Sequence, residues 1–503
     1  MEKKVAHIVS HSHWDREWYM SFEQHRMKLV KLIDDLLELF ESGSGFSSFF
    51  LDGQTIALED YLQIRPENRS KLEKYIQEGR LFVGPWYILQ DEFLTSSESN
   101  IRNLLVGIKQ AEEFGKVSMF GYFPDAFGNA GQMPQILKQA GMEAAFFGRG
   151  VKPVGFDNKV DETGDYESIF SEMLWQSPDG SSLLGVLFAN WYCNGMEVPT
   201  DEEQAKAYWG KRIPDADKFA SSNHLLFMNG CDHQPVQKDL PQAIETAKLF
   251  RRWTSATPAL THLSKALKKQ KNKLSVVEGE LTSQETDGWM TLVNTCSSRI
   301  YLKQMNQQAQ AALEKLAEPL GVMAGTYNAP WLRYSWKTLM QNHPHDSICG
   351  CSVDEVHREM AVRFEKSLQV SRELTADAQK ALADCVDTTV FEKISADAVP
   401  IVVMNTSGWV TGVVTTNVDV LRRYHPDPHA TWAEMEKQPV RSWSVVDAQG
   451  HAVPCTVTYL GLRFDYDLPE NAFRKPYIAQ TVRVTFEAEN VPAAGLRAYA
   501  LVP

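Results

Sequence analysis

Short apolar runs alternate with longer amphipathic stretches from Val5 to about residue 255, which is the pattern of parallel strands wrapped by helices. Strands are predicted from Val5 to Val9, Phe49 to Leu51, Leu81 to Val83, Val117 to Phe123, Ala144 to Phe147, Leu183 to Phe188 and Leu225 to Met228. Between the first two runs Met27, Val30, Ile33, Leu37 and Phe40 recur at helical spacing. Met133 to Ala140 also reads as a helix, closed by Gly141 in the position just past its end. Seven such βα units predict an irregular seven-stranded α/β barrel. From about residue 300 to 390 the pattern is wholly helical, and Val356, Met360, Phe364 and Leu368 step by four along one stripe. Ser352 with Glu355 reads as a capping box that opens this helix. After about residue 396, Val- and Thr-rich runs such as Val402 to Val414 and Thr481 to Phe486 predict a β-sandwich. The expected fold is therefore multidomain, α/β then α then β: a barrel domain over 1–260, a helical bundle over 261–395 and a β-sandwich over 396–503.

Composition narrows the function. With 503 residues the chain exceeds the size at which one core keeps growing. Its 43% hydrophobic and 23% charged residues are those of an ordinary globular protein. A net charge of −13 without a long basic run argues against nucleic acid or an anionic membrane as partner. No stretch approaches a membrane span, and the start Met1-Glu2-Lys3-Lys4-Val5 builds no signal-peptide hydrophobic region, so a cytoplasmic location is expected. Seven cysteines (Cys193, Cys231, Cys296, Cys349, Cys351, Cys385 and Cys455) are odd in number and sparse, which fits plain thiols in a reducing compartment. Cys349-Gly350-Cys351 lacks the second pair that a soft-metal site requires.

Four motifs carry candidate chemistry, each at a strand end or an inter-helix turn. His11-Ser12-His13-Trp14-Asp15-Arg16-Glu17-Trp18 follows the first strand, where an H-x-D triplet can converge on a metal, zinc first. Gly121-Tyr122-Phe123-Pro124-Asp125-Ala126-Phe127-Gly128 delivers Asp125 into a loop, as a catalytic acid or as a helix N-cap. Met228-Asn229-Gly230-Cys231-Asp232-His233-Gln234-Pro235 runs a strand into a carboxylate, although turn chemistry alone accounts for Asn-Gly. His343-Pro344-His345-Asp346 reads as a polar turn or as a source of metal ligands. Together they offer the imidazole and carboxylate mixture that suits zinc, and the paired carboxyls that glycosidic cleavage uses.

In order and rough spacing, HSHWDREW, GYFPDAFG, NGCDHQP and HPHDSICGC resemble the motifs of the glycoside hydrolase family 38 α-mannosidases. LDGQT at Leu51 to Thr55, GPWY at Gly84 to Tyr87 and GRG at Gly148 to Gly150 are similar to the family as well. The resemblance implies a zinc-dependent retaining exo-α-mannosidase that hydrolyses terminal α-mannosyl residues of oligosaccharides or glycan fragments through a covalent mannosyl-aspartate. His13, Asp15, Asp125 and His345 would ligate one Zn2+ per chain, the helical domain supplying His345. Asp125 would be the nucleophile and Asp232 the general acid and base, with Trp18, Phe127, Arg149 and Asp346 holding the sugar. Trp14 and Arg16-Glu17 place the chain with a bacterial-type branch, which leaves the linkage open; a homodimer is also left open. Family members usually continue through further β domains that are apparently absent after residue 503, so a truncated, inactive or sugar-binding member is the alternative. A second alternative is an amidohydrolase-type enzyme built on His11-x-His13.

Overall fold

The fold is described from a computed structural model, which covers residues 4–151, 168, 170–248, 259–283, 291–409, 412–424 and 427–503. All seven expected strands form: β1 (Val5–Ser10), β2 (Phe49–Phe50), β3 (Leu81–Phe82), β4 (Gly121–Phe123), β5 (Ala144–Phe147), β7 (Ser182–Leu187) and β8 (His224–Asn229). Two more join them, β6 (Glu172–Gln176) and β9 (Val276–Glu278). β1 runs parallel to β8, with Val5 opposite His224 and Ser10 opposite Asn229. β2 and β3 form a second parallel pair, and a five-stranded sheet has the order β4-β5-β7-β6-β9, parallel except at β6-β7.

Among the described residues these are three separate sheets and not one closed barrel. They are knit by single contacts, such as the bridge from His11 to Phe50 and the Ser118 amide donating to the Val83 carbonyl at 3.0 Å. The ladders are short because β2, β3 and β4 are only two or three residues long, which leaves few lateral hydrogen bonds to close a ring.

The helix Phe22–Glu41 buries Leu29, Leu32, Ile33, Leu36 and Leu37 in a core that also holds Ala6 of β1 and Leu225 and Phe227 of β8. Met27, expected on that face, is 76% exposed; the buried stripe is centred about one residue further round the helix. Truncating a fully buried leucine such as Leu36 to alanine costs about 2–5 kcal/mol at sites of this kind. A second core, with Phe146, Phe147 and Trp175, fills the five-stranded sheet. Met133–Gln139 is a helix as expected.

Helices follow at Ile300–Ala311, Ala329–Met340, His345–Cys349 and Asp354–Asp384, and the stripe Val356, Met360, Phe364 and Leu368 is buried. The expected capping box is not seen: the Ser352 hydroxyl donates to the Asp346 carbonyl at 3.0 Å. One compact unit takes residues up to Gln310 with Arg333–Leu368, and the other takes Ala311–Leu332 with Gln369–Pro503.

The second unit contains two antiparallel sheets. One has the order β10-β16-β12-β13, from β10 (Val399–Asn405), β12 (Ser444–Val446), β13 (Ala452–Val453) and β16 (Gly495–Val502). The other is β11-β15-β14, from β11 (Val413–Tyr424), β14 (Cys455–Asp467) and β15 (Lys475–Glu487). Val403, Val445 and Leu501 of the first share a core with Val482, Val484 and Phe486 of the second, which is a β-sandwich. The run from Val402 to Val414 is divided between β10 and β11; residues 410 and 411 lie outside the described residues.

Candidate active site

The site lies in the first unit, where β1 and β8 run out side by side. Past the strands, the His13 amide donates to the Cys231 carbonyl at 3.2 Å and the His233 amide to the His13 carbonyl at 2.9 Å. His13 and Asp232 are thereby bridged in parallel register. Gly230 permits this approach, since a Cβ there would stand 1.9 Å from the His11 carbonyl oxygen. At the end of β4, Pro124 delivers Asp125; a Cβ on Gly148 would lie 2.0 Å from the Pro124 carbonyl, so that loop too needs glycine beside it. No helix begins at Asp125, which removes the N-cap reading.

Four expected ligands meet. His13 Nε2 lies 3.1 Å from Asp15 Oδ1, and His345 Nε2 lies 3.3 Å from Asp15 Oδ1 and 3.5 Å from Asp125 Oδ2. One ligand atom each from His13, Asp125 and His345 fall within 4.8 Å of one another, and so do those of Asp15, His345 and Asp346. His13 Nε2, Asp15 Oδ1 and His345 Nε2 are buried without a hydrogen-bond partner, which is costly unless a cation engages them. Burial opposes a charged His13, but the Asp15 and Asp52 carboxylates overcome it and raise its pKa well above the ordinary range. His345 is likewise raised against burial, by Asp346, Asp125 and Asp15. Asp15 is held well below the ordinary range because His13 and His345 outweigh its burial. The nest therefore demands positive charge, and its donor set fits a divalent ion such as zinc.

The two candidate catalytic carboxyls are pushed apart. Asp125 is largely withdrawn from solvent, which favours its protonated form, but Arg149 and then His345 and His13 lower its pKa. Arg149 Nε donates to Asp125 Oδ1 at 2.6 Å. Asp232 is raised, first by burial and then by the negative charges of Asp15 and Asp125, against His13 and a hydrogen bond from Tyr192. Trp18 is half-buried with its ring edge-on to Tyr19 at 5.1 Å. Phe127 lies edge-on to His345 at 5.2 Å, with the Arg149 guanidinium 5.1 Å from its centroid. Asp346 is buried and raised to about 7, by burial first and then by Asp15 and Asp125.

Several partners were not legible as such. Asp52 Oδ2 accepts from His13 Nδ1 at 3.0 Å and from the Trp14 amide at 2.7 Å. That bond leaves Nε2 of a neutral His13 as the lone-pair side facing the cluster. Asp52 lies in LDGQT, a stretch whose family likeness was its only signal. Tyr192 donates its hydroxyl to Asp232 Oδ1 at 2.9 Å, and nothing in its surroundings in sequence marks it. Arg16 and Glu17 are buried ion-pair members: Arg16 donates twice to Asp60, and Arg363 grips Glu17 at 2.7 and 2.9 Å. Against the expectation of plain thiols, Cys193 and Cys231 form a disulfide, while Cys296, Cys349, Cys351, Cys385 and Cys455 are free. His11 Nε2 bonds the Tyr192 carbonyl at 2.9 Å and stays outside the cluster, so His11-x-His13 does not act as a ligand pair. His343 is structural, bonded to Ser99 and Asn306.

Paired carboxyls of opposed proton affinity at the ends of parallel strands are the equipment that glycosidic cleavage uses. The chain belongs to glycoside hydrolase family 38. The families described as "Glycosyl hydrolases family 38 N-terminal domain", "Alpha mannosidase middle domain" and "Glycosyl hydrolases family 38 C-terminal domain 1" match residues 3–274, 291–382 and 396–503. The chain is 49% identical to a Halalkalibacterium halodurans protein named "Putative mannosylglycerate hydrolase", over 100% of this chain and 56% of that one. It superposes on an alpha-mannosidase from Enterococcus faecalis V583 with a TM-score of 0.91 and 46% identity, over 99% of this chain and 56% of that one. A second Enterococcus faecalis protein, of glycosyl hydrolase family 38, gives a TM-score of 0.82 and 39% identity, over 100% of this chain and 54% of that one. The chain thus spans little more than half the length of these relatives.

Proposed function

We propose that the chain is a zinc-dependent retaining exo-α-mannosidase, and that His13, Asp15, Asp125 and His345 hold one zinc ion. The observation that carries this is the convergence of those four residues, with three buried ligand atoms left unpartnered, beside two aspartates of opposed proton affinity. A bound zinc ion supplies Lewis acidity toward the hydroxyls of the sugar ring. Asp125, kept ionised by Arg149, attacks the anomeric carbon as the bond to the glycosidic oxygen breaks and forms the mannosyl-aspartate. Asp232, which begins protonated, gives its proton to the departing glycosidic oxygen and then removes one from the attacking water. Trp18 offers its ring face to the sugar, and Phe127, Arg149 and Asp346 help to hold it. Residues 1–260, 261–395 and 396–503 are read as the barrel-like catalytic, helical and sandwich domains, in a cytoplasmic protein.

The substrates are short α-mannosides. The name of the Halalkalibacterium relative makes mannosylglycerate the first to try, alongside terminal α-mannosyl oligosaccharides. The test compares Asp125→Ala with Asp232→Ala in zinc content and in turnover of activated and poor mannosides. Asp125→Ala should lose metal and activity together. Asp232→Ala should keep zinc and lose about 100-fold or more, mainly on poor leaving groups. Equal losses on both substrates would remove Asp232 from the acid role.

A further inference from the structure

His233 follows the general acid in sequence and is the point where three parts of the site meet. Its backbone is left-handed, with φ of 52°, a conformation that costs a non-glycine residue on the order of 1 kcal/mol and persists only where surroundings enforce it. The turn sends the imidazole away from Asp232 and back over the first loop. There Nε2 lies 2.8 Å from the Asp15 carbonyl oxygen, and Nδ1 lies 3.2 Å from the Tyr19 hydroxyl. A carbonyl only accepts, so Nε2 carries the hydrogen, and Nδ1 of the neutral ring accepts from Tyr19. The ring stacks on the buried His25, centroids 4.1 Å apart and planes 24° apart, and meets Trp14 edge-on at 4.9 Å. Its own amide donates to the His13 carbonyl at 2.9 Å. Tyr19 in turn braces Trp18.

We infer that His233 is a positioning residue, which locks the loop bearing Asp232 to the loop bearing His13 and Asp15 and, through Tyr19, to the Trp18 sugar platform. The inference rests on the proposed function, because it assumes that Asp232 is the acid. Proton donation is the step most sensitive to such a lock: a displacement of about 1 Å at a catalytic group costs on the order of 100-fold. A leaving group that needs no proton is indifferent to it.

The experiment uses the full chain, loaded with zinc, and measures kcat and KM on methyl α-mannoside and on dinitrophenyl α-mannoside for the unaltered protein and for His233→Ala, His233→Gln and His233→Asn. Gln places an amide nitrogen where Nε2 lies, whereas Asn reaches only as far as Nδ1. His233→Ala should lower kcat on the methyl glycoside about 100-fold and leave the dinitrophenyl rate within a few-fold, with KM and zinc content little changed. His233→Gln should recover most of that loss and His233→Asn should not. This Gln–Asn contrast stands even if the alanine variant folds poorly. Parallel losses on both substrates, no loss at all, or equal behaviour of Gln and Asn would overturn the inference. Absence of turnover by the unaltered chain would overturn the proposed function and this inference with it.

Discussion

Asp52 is a residue through which the proposed zinc site can be weakened without touching a ligand. Its Oδ2 accepts from His13 Nδ1, from the Trp14 amide and from Gln54 Nε2, the last at 3.2 Å. The carboxylate makes the far nitrogen of His13 a better donor to a cation and fixes its ring. Loss of such a partner lowers metal affinity by about 10- to 100-fold, or about 1.4 to 2.7 kcal/mol. The two ends of that range separate by substitution. Asp52→Asn keeps an acceptor oxygen and tolerates the left-handed backbone, φ 48°, so it removes mainly the charge and should cost about tenfold. Asp52→Ala also strands the buried Trp14 amide, at about 1–3 kcal/mol, whereas Gln54 Nε2 keeps the Trp14 carbonyl at 2.8 Å. It should approach the hundredfold loss and melt lower even without metal. Competition of the full chain against a chromophoric chelator reads zinc affinity without reference to activity, and melting curves of the metal-free variants read the stability cost. If both variants bound zinc as tightly as the unaltered chain, the assignment of His13 as a ligand oriented by Asp52 would be wrong.

Glu17→Ala should cost about 3 kcal/mol in urea unfolding, because it takes from the buried Arg363 guanidinium its buried carboxylate and leaves it the half-exposed Glu359, the Asn342 side chain and the Gln341 carbonyl; a cost under about 1 kcal/mol would contradict this. His343 is lowered by burial from 6.5 to about 3. Its folded value lies below the unfolded one, so the contribution is complete above pH 6.5 and is lost as pH falls from 6.5 toward 3, amounting to about 2 kcal/mol by pH 5. His343→Gln should flatten that part of the stability–pH profile, and an unchanged slope would refute the assignment.

The candidate site was legible where chemistry and strand ends coincide in sequence. His13 and Asp15 follow β1, Asp125 follows β4 and Asp232 follows β8, and the structure brings them together. The partners that orient them were not, because their contacts are non-local: Asp52 reaches His13 across 39 residues, Tyr192 reaches Asp232 across 40 and Arg363 reaches Glu17 across 346. His343 and His345 look alike around Pro344, and only tertiary packing makes the first a core group and the second a cluster member. In the fold, strand identity followed from apolar runs, but β9 is three residues long and β6 opens on Glu172, too little signal to register. Whether a sheet closes depends on lateral hydrogen bonds that no periodicity records.

The most direct test of the central claim is a proton NMR time course of the full chain, loaded with zinc, acting on an activated aryl α-mannoside. Release of α-mannose ahead of mutarotation is the predicted result, since displacement by Asp125 followed by water restores the configuration. Release of β-mannose first would contradict a covalent mannosyl-Asp125 and with it the account of the site.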